Sequence, residues 1–289
     1  MNRANARDFR WVLSLVILVG ACGSREEPGV AESEAAEKSV VSPIPIAEVT
    51  APLDRKKRPS AAPGPAQSSL HLLRTTGSPT GPIPYELVEP AGGGLDLPIV
   101  IGLHGRGDRA ENFAGVFERL RLPVRVVVAR APVPWGQRGG RAWFDLDSPQ
   151  GAEQLTARVG ELNQLLDHLA ARYPQAPTPI LLGFSQGAML SLQMLARHPD
   201  RVGGIVALSG FLPLDDENTP SSRPVPALLT MGDKDHLVTP DRTRAAATSL
   251  RALGHQPREV SFPGGHAIPR EVMSQIRTCI REVAQLKAP

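Results

Sequence analysis

From about Leu70 to the C-terminus, short runs rich in Val, Ile and Leu alternate with longer segments of helical period, and this alternation restricts the fold more than any other feature. Runs that are apolar on both faces need cover on both sides, which a parallel sheet with crossover helices provides. Strands are expected at Tyr85–Glu89, Pro98–Leu103, Val124–Arg130, Pro179–Phe184, Gly204–Ser209, Val225–Met231 and Arg258–Phe262. Helices are expected at Gly151–Tyr173, Pro240–Leu253 and Pro269–Leu286. In the first of these, Leu155, Val159, Leu162, Leu165, Leu166 and Leu169 fall on one stripe. The expected class is α/β, with a mostly parallel central sheet and helices on both faces. No internal repeat interrupts the pattern, and residues 70–289 suit a single domain.

The N-terminus reads differently. Arg3, Arg7 and Arg10 precede an almost unbroken apolar run, Trp11–Ala21, which is the layout of a secretory signal. A bilayer core of about 30 Å needs roughly 20 apolar residues, so this run is too short for a permanent transmembrane helix. Val19-Gly20-Ala21-Cys22 resembles the bacterial lipobox. That resemblance implies that Cys22 is acylated and becomes the N-terminus; the alternative is an ordinary signal cut near Ala21. Residues 23–69 are rich in Pro, Ala, Ser, Glu and Lys without an apolar period, the composition of a disordered tether. The chain is therefore expected to divide into a lipoprotein signal (1–22), a tether (23–69) and an α/β domain (70–289). The expected location is the cell envelope, facing the periplasm or in the outer membrane, with the membrane reached through the N-terminal lipid.

The formal net charge is only +3, and Lys and Arg are scattered apart from Arg55-Lys56-Lys57-Arg58. This gives no footprint for nucleic acid. Of the two cysteines, Cys22 is committed to lipid in this reading, so no internal disulfide forms, and Cys279 is expected as a small buried apolar residue.

Gly183-Phe184-Ser185-Gln186-Gly187 follows the apolar run Ile180-Leu181-Leu182 and precedes a helix-forming stretch from Ala188 to Leu195. This is the strand–turn–helix setting of a nucleophile elbow, in which a sharp turn presents the Ser185 hydroxyl and small residues on either side prevent crowding. A hydroxyl is a poor nucleophile near neutral pH. It needs a base, and the base needs an acid to fix its tautomer. Downstream, Gly232-Asp233-Lys234-Asp235-His236-Leu237-Val238 ends one strand candidate and Gly264-Gly265-His266 follows the last. Spacing leaves Asp233 and Asp235 both open as the acid. His236 adjoins the acid and His255 lies before the last strand, so His266, on a Gly-rich loop, is the preferred base. An oxyanion hole would take the main-chain N–H of Gln186 and that of Arg106, in the loop His104-Gly105-Arg106-Gly107-Asp108. His104 has no partner at metal-ligand spacing and is expected to fix that loop; no metal site is expected.

Together, Leu103-His104-Gly105-Arg106-Gly107-Asp108, Gly183-Phe184-Ser185-Gln186-Gly187, Gly232-Asp233-Lys234-Asp235-His236-Leu237-Val238 and Gly265-His266 resemble the phospholipase/carboxylesterase family of α/β-hydrolases, which includes the acyl-protein thioesterases. Ala142-Trp143-Phe144-Asp145 adds to the likeness. The resemblance implies a serine hydrolase acting on small-molecule esters or thioesters without a cofactor. It assigns Ser185 as nucleophile, His266 as base, Asp235 as acid, and Arg106 and Gln186 as oxyanion donors. Trp143 and Phe144 are candidates for the wall of an acyl pocket or for core filling. The leader, the tether and Arg106, where the family commonly has an apolar residue, depart from its pattern. Two other readings share the fold: a catalytically silent, membrane-tethered binding module, and a peptidase, which normally needs an additional domain.

Overall fold

The computed structural model describes residues 72–75, 82–136, 139–213 and 218–286. Cys22, the 1–22 signal, the whole 23–69 tether and the basic run 55–58 within it lie outside the described residues. Among the described residues eight strands form the main sheet in the order β1-β2-β4-β3-β7-β8-β9-β10. These are β1 (Leu72–Thr75), β2 (Tyr85–Pro90), β3 (Ile99–Leu103), β4 (Arg125–Ala129), β7 (Ile180–Phe184), β8 (Gly204–Leu208), β9 (Pro226–Gly232) and β10 (Gln256–Phe262). β2 pairs antiparallel with β1 and β4, and every pair from β4 to β10 is parallel. A small antiparallel hairpin, β5 (Val133–Trp135) with β6 (Gly140–Ala142), stands apart from the sheet.

The central strands are apolar because both faces are covered. All five residues of β3, β4 and β8 are buried. Among the described residues five helices provide the cover: α1 (Ala110–Leu120), α2 (Gly151–Arg172), α3 (Gln186–Arg197), α4 (Pro240–Ala252) and α5 (Met273–Val283). In α2 the six residues of the predicted stripe are all buried, with Gly151 added at the N-terminus. The expected helix over 269–286 resolves into a short 3₁₀ turn, Arg270–Val272, followed by α5. Cys279 is a free thiol buried in the α5 interface, and burial pushes its pKa up. At the exposed edge, β10 carries ion pairs Arg251–Glu259 and Arg258–Glu282, charges that discourage edge-to-edge pairing.

The path of the chain determines where chemistry can sit. After β3 the chain moves to β4 on one side, and β7 then returns to the other side of β3. At such a reversal the loops leaving two adjacent parallel strands diverge and leave a crevice at their C-terminal ends. Here those loops are His104–Arg109 after β3 and the turn Ser185 after β7.

Candidate active site

Ser185 occupies the turn between β7 and α3 with φ 53° and ψ −116°. A left-handed φ at a residue with a side chain is strained and persists only where its surroundings enforce it. Here they do. A Cβ at Gly183 would lie 2.2 Å from the carbonyl oxygen of Gly187, and one at Gly187 would lie 2.0 Å from that of Leu103. The main chain of Ser185 is tied at both ends, its N–H donating to Leu208 and its C=O accepting from Met189. Ser185 thus stands half-buried at the N-terminus of a helix whose first N–H groups have no intrahelical acceptor.

Two further loops converge on it. β9 and β10 run parallel, and past their ends Asp233 N–H donates to Phe262 C=O and Lys234 N–H to Gly264 C=O. These bonds carry Asp235 and His266 to one place, where His266 Nδ1 lies 2.7 Å from Asp235 Oδ2. The other carboxylate oxygen of Asp235 accepts the N–H groups of Leu237 and Val238, each at 2.9 Å. The Asp235 side chain is fully buried, whereas Asp233 is exposed. His236 points to solvent, and His255 is buried at the start of β9, where Nδ1 accepts the Val225 N–H. His266 instead packs against Phe184, next to Ser185, with ring centroids 4.9 Å apart. Among the described residues the Ser185 hydroxyl forms no hydrogen bond, to His266 or to any other group. Catalytic hydrogen bonds are commonly loose without substrate and close when it binds.

The loop after β3 completes the crevice. A Cβ at Gly105 would lie 3.4 Å from Ser185 Cβ, so the main chain leading into Arg106 passes directly beside the elbow. Buried His104 fixes this loop as expected from sequence: Nδ1–H donates to Gly105 C=O at 2.9 Å and Nε2 accepts the Ala131 N–H at 3.3 Å. One neutral tautomer satisfies both contacts, and burial lowers the imidazole pKa accordingly. The β5–β6 hairpin packs on the outside of the loop, with Gly107 N–H donating to Arg141 C=O and Arg141 N–H to Asp108 C=O. The Arg106 side chain turns outward, over the Trp135 ring at 4.7 Å and 3.3 Å from Asp147.

Trp143 and Phe144, which directly follow β6, are each 1% exposed. The side chain of Gln186 spans to them, accepting the Trp143 N–H at 2.7 Å and donating to the Phe144 C=O at 2.6 Å. Sequence gave no sign of that link, nor of the Arg106–Trp135–Asp147 contact. The segments are far apart in the chain, and only the weak likeness of Trp143-Phe144-Asp145 points toward the site.

The sheet order, the strained serine at a strand–helix turn and the buried acid–histidine pair define an α/β-hydrolase. A family model for phospholipase/carboxylesterase matches residues 92–284. The chain therefore belongs to the phospholipase/carboxylesterase family, hydrolases of ester bonds. Acyl-protein thioesterase 1 of Candida albicans is 32% identical over 147 residues, 45% of this chain and 64% of that protein, so the match spans just under two thirds of this relative's length. Acyl-protein thioesterase 1 of Gibberella zeae is 26% identical over 215 residues, covering 63% of this chain and 89% of that protein. A carboxylesterase structure from Mesorhizobium loti superposes with a TM-score of 0.61 at 23% identity, covering 73% of this chain and 98% of that one, a likeness in fold.

Proposed function

We propose that this protein is a serine esterase or thioesterase that works through an acyl-enzyme, with Ser185, His266 and Asp235 as its triad. The observation that carries the reading is the strained Ser185 main chain, φ 53° and ψ −116°, beside a histidine whose Nδ1 is engaged by a buried carboxylate. Strain of this kind costs free energy and is retained where it presents a reactive group.

In this mechanism His266 Nε2 takes the proton of Ser185 Oγ as the oxygen attacks the substrate carbonyl carbon. The carbonyl π electrons move to oxygen, and the N–H groups of Arg106 and Gln186 receive the negative charge. Collapse breaks the bond to the alcohol or thiol, which leaves with the proton held by His266. Water then repeats the sequence on the acyl-Ser185 ester and releases the acid. Asp235 stays ionised and keeps the Nδ1–H of His266 in place. No cofactor takes part.

The N-terminal sequence supports a lipoprotein, acylated at Cys22 and exported to the cell envelope, whose catalytic domain stands off the membrane on residues 23–69. Incorporation of labelled palmitate into the wild type and its loss in Cys22→Ala test that part. For the catalytic part, turnover of p-nitrophenyl esters from acetate to palmitate is measured for the wild type and Ser185→Ala. The reading expects turnover that falls on the order of 10⁵–10⁶-fold in the variant; equal activity in both proteins removes it.

A further inference from the structure

We infer that the side chains of Gln186 and Trp143 are positioning residues that set the gap between the two main-chain donors of the oxyanion hole; this rests on the Ser185 site proposed above. The two donors belong to different loops. Gln186 N–H opens α3, and Arg106 N–H lies in the turn after β3. Both must come within about 2.7–3.1 Å of one developing oxyanion for either to be fully effective. Arg106 stands between two glycines, one of them at φ +86°, so local chain stiffness does little to orient its peptide.

A buried path of hydrogen bonds, continued at each end through covalent main chain, joins the two donors. The Gln186 amide accepts the Trp143 N–H at 2.7 Å and donates to the Phe144 C=O at 2.6 Å. Reversing that amide would set donor against donor and acceptor against acceptor, so it has one orientation. The Trp143 indole Nε1–H then donates to the His104 C=O at 2.8 Å, and the indole lies 5.5 Å from the His104 imidazole, centroid to centroid. His104 in turn is held by Gly105 and Ala131, and Gly105 leads directly into Arg106. Gln186, Trp143, Phe144 and His104 are each 1% exposed or less.

Packing alone does not account for these residues. Helix α3 is buried along nearly its whole length, and an apolar side chain would fill the place of Gln186 without the cost of desolvating an amide. Core filling at Trp143 would require ring volume, not an indole N–H aimed at the carbonyl two residues before the Arg106 donor. Breaking the path leaves the buried His104 C=O without its indole donor, so the glycine-flanked turn, bonded on its outer side to Arg141, loses its tie on the inner side.

Trp143→Phe keeps an aromatic ring and removes the indole N–H; Gln186→Met keeps the main-chain donor and removes both amide contacts. Each is made in the full-length chain beside Ser185→Ala. The measurements are kcat and KM for a p-nitrophenyl ester, the inhibition constant of a trifluoromethyl ketone that forms a tetrahedral oxyanion adduct, and Tm. The expected result is kcat lower by about 10–100-fold, KM within about threefold, and ketone inhibition weaker by a factor similar to the loss in kcat. If Trp143→Phe does not fold, Gln186→Met carries the same expectation. Unchanged kcat in a folded variant overturns the inference, as does lowered kcat with unchanged ketone inhibition. If Ser185→Ala abolishes turnover while both variants keep it, only this inference fails. If Ser185→Ala keeps turnover, the site reading fails and takes this inference with it.

Discussion

His266 Nδ1 meets Asp235 Oδ2 at 2.7 Å, and the other Asp235 oxygen is already filled by two main-chain N–H groups, so the carboxylate can face the histidine in one way only. The pair is assembled by the parallel β9–β10 ladder continuing beyond the strand ends. Of the two acids that spacing left open, Asp235 is the one in contact with the histidine, and Asp233 is exposed.

Asp235→Asn should therefore lower kcat on the order of 10⁴-fold, since an amide at that place favours the wrong imidazole tautomer. Asp233→Asn should behave as wild type. Steady-state kinetics on one ester substrate checks both, and the reverse ranking would move the acid to Asp233.

Arg106→Ala keeps the main-chain N–H and removes contacts to Trp135 and Asp147 that lie at the surface. Turnover should stay within about tenfold of wild type, far from the 10²–10³-fold expected for loss of an oxyanion donor. Stability should change by about 1 kcal/mol or less. A loss of turnover above about 10²-fold would assign the guanidinium itself to the chemistry.

Two glycine substitutions should act in opposite directions. Gly187→Ala would drive a methyl to 2.0 Å from the Leu103 carbonyl oxygen, where only main chain could yield, and should cost about 3 kcal/mol. Gly160→Ala, on the exposed side of α2 with nothing within 4 Å, should stabilise by about 0.5–1 kcal/mol. Urea unfolding midpoints report both.

His104 and His255 are buried with imidazole pKa values held below the ordinary 6.5 by desolvation. Unfolding exposes them to water, where they take up protons near that value. Below 6.5 the unfolded chain binds more protons than the folded one, so their contribution to stability is fully present above about pH 6.5 and declines as pH falls. Unfolding free energy should drop by up to about 1.4 kcal/mol per pH unit for each group over this range. His104→Gln should reduce that slope, as read from urea unfolding at several pH values.

The parallel sheet was legible because its strands are buried on both faces and read as unbroken apolar runs, β3 as Ile99-Val100-Ile101-Gly102-Leu103 and β8 as Gly204-Ile205-Val206-Ala207-Leu208. Strand ends agreed to within one or two residues. The β5–β6 hairpin escaped notice because three-residue strands are too short to show a period, and Pro134 and Gly136 read as loop. Ser185, His266 and the loops of Arg106 and Gln186 could be singled out from sequence because an elbow and Gly-rich turns leave local marks. The Gln186 amide and the Trp143 indole leave none, since their partners are chosen by tertiary packing across about 40 residues of chain.

The most direct test of the central claim is covalent labelling of the full-length protein with a fluorophosphonate, followed by peptide mapping. A reactive serine polarised by its neighbours attacks phosphorus and keeps the adduct, whereas an ordinary surface serine does not react. A single adduct on Ser185 is expected, with ester hydrolysis lost in step with labelling. No adduct on Ser185, or hydrolysis lost through modification elsewhere while Ser185 stays free, would contradict it.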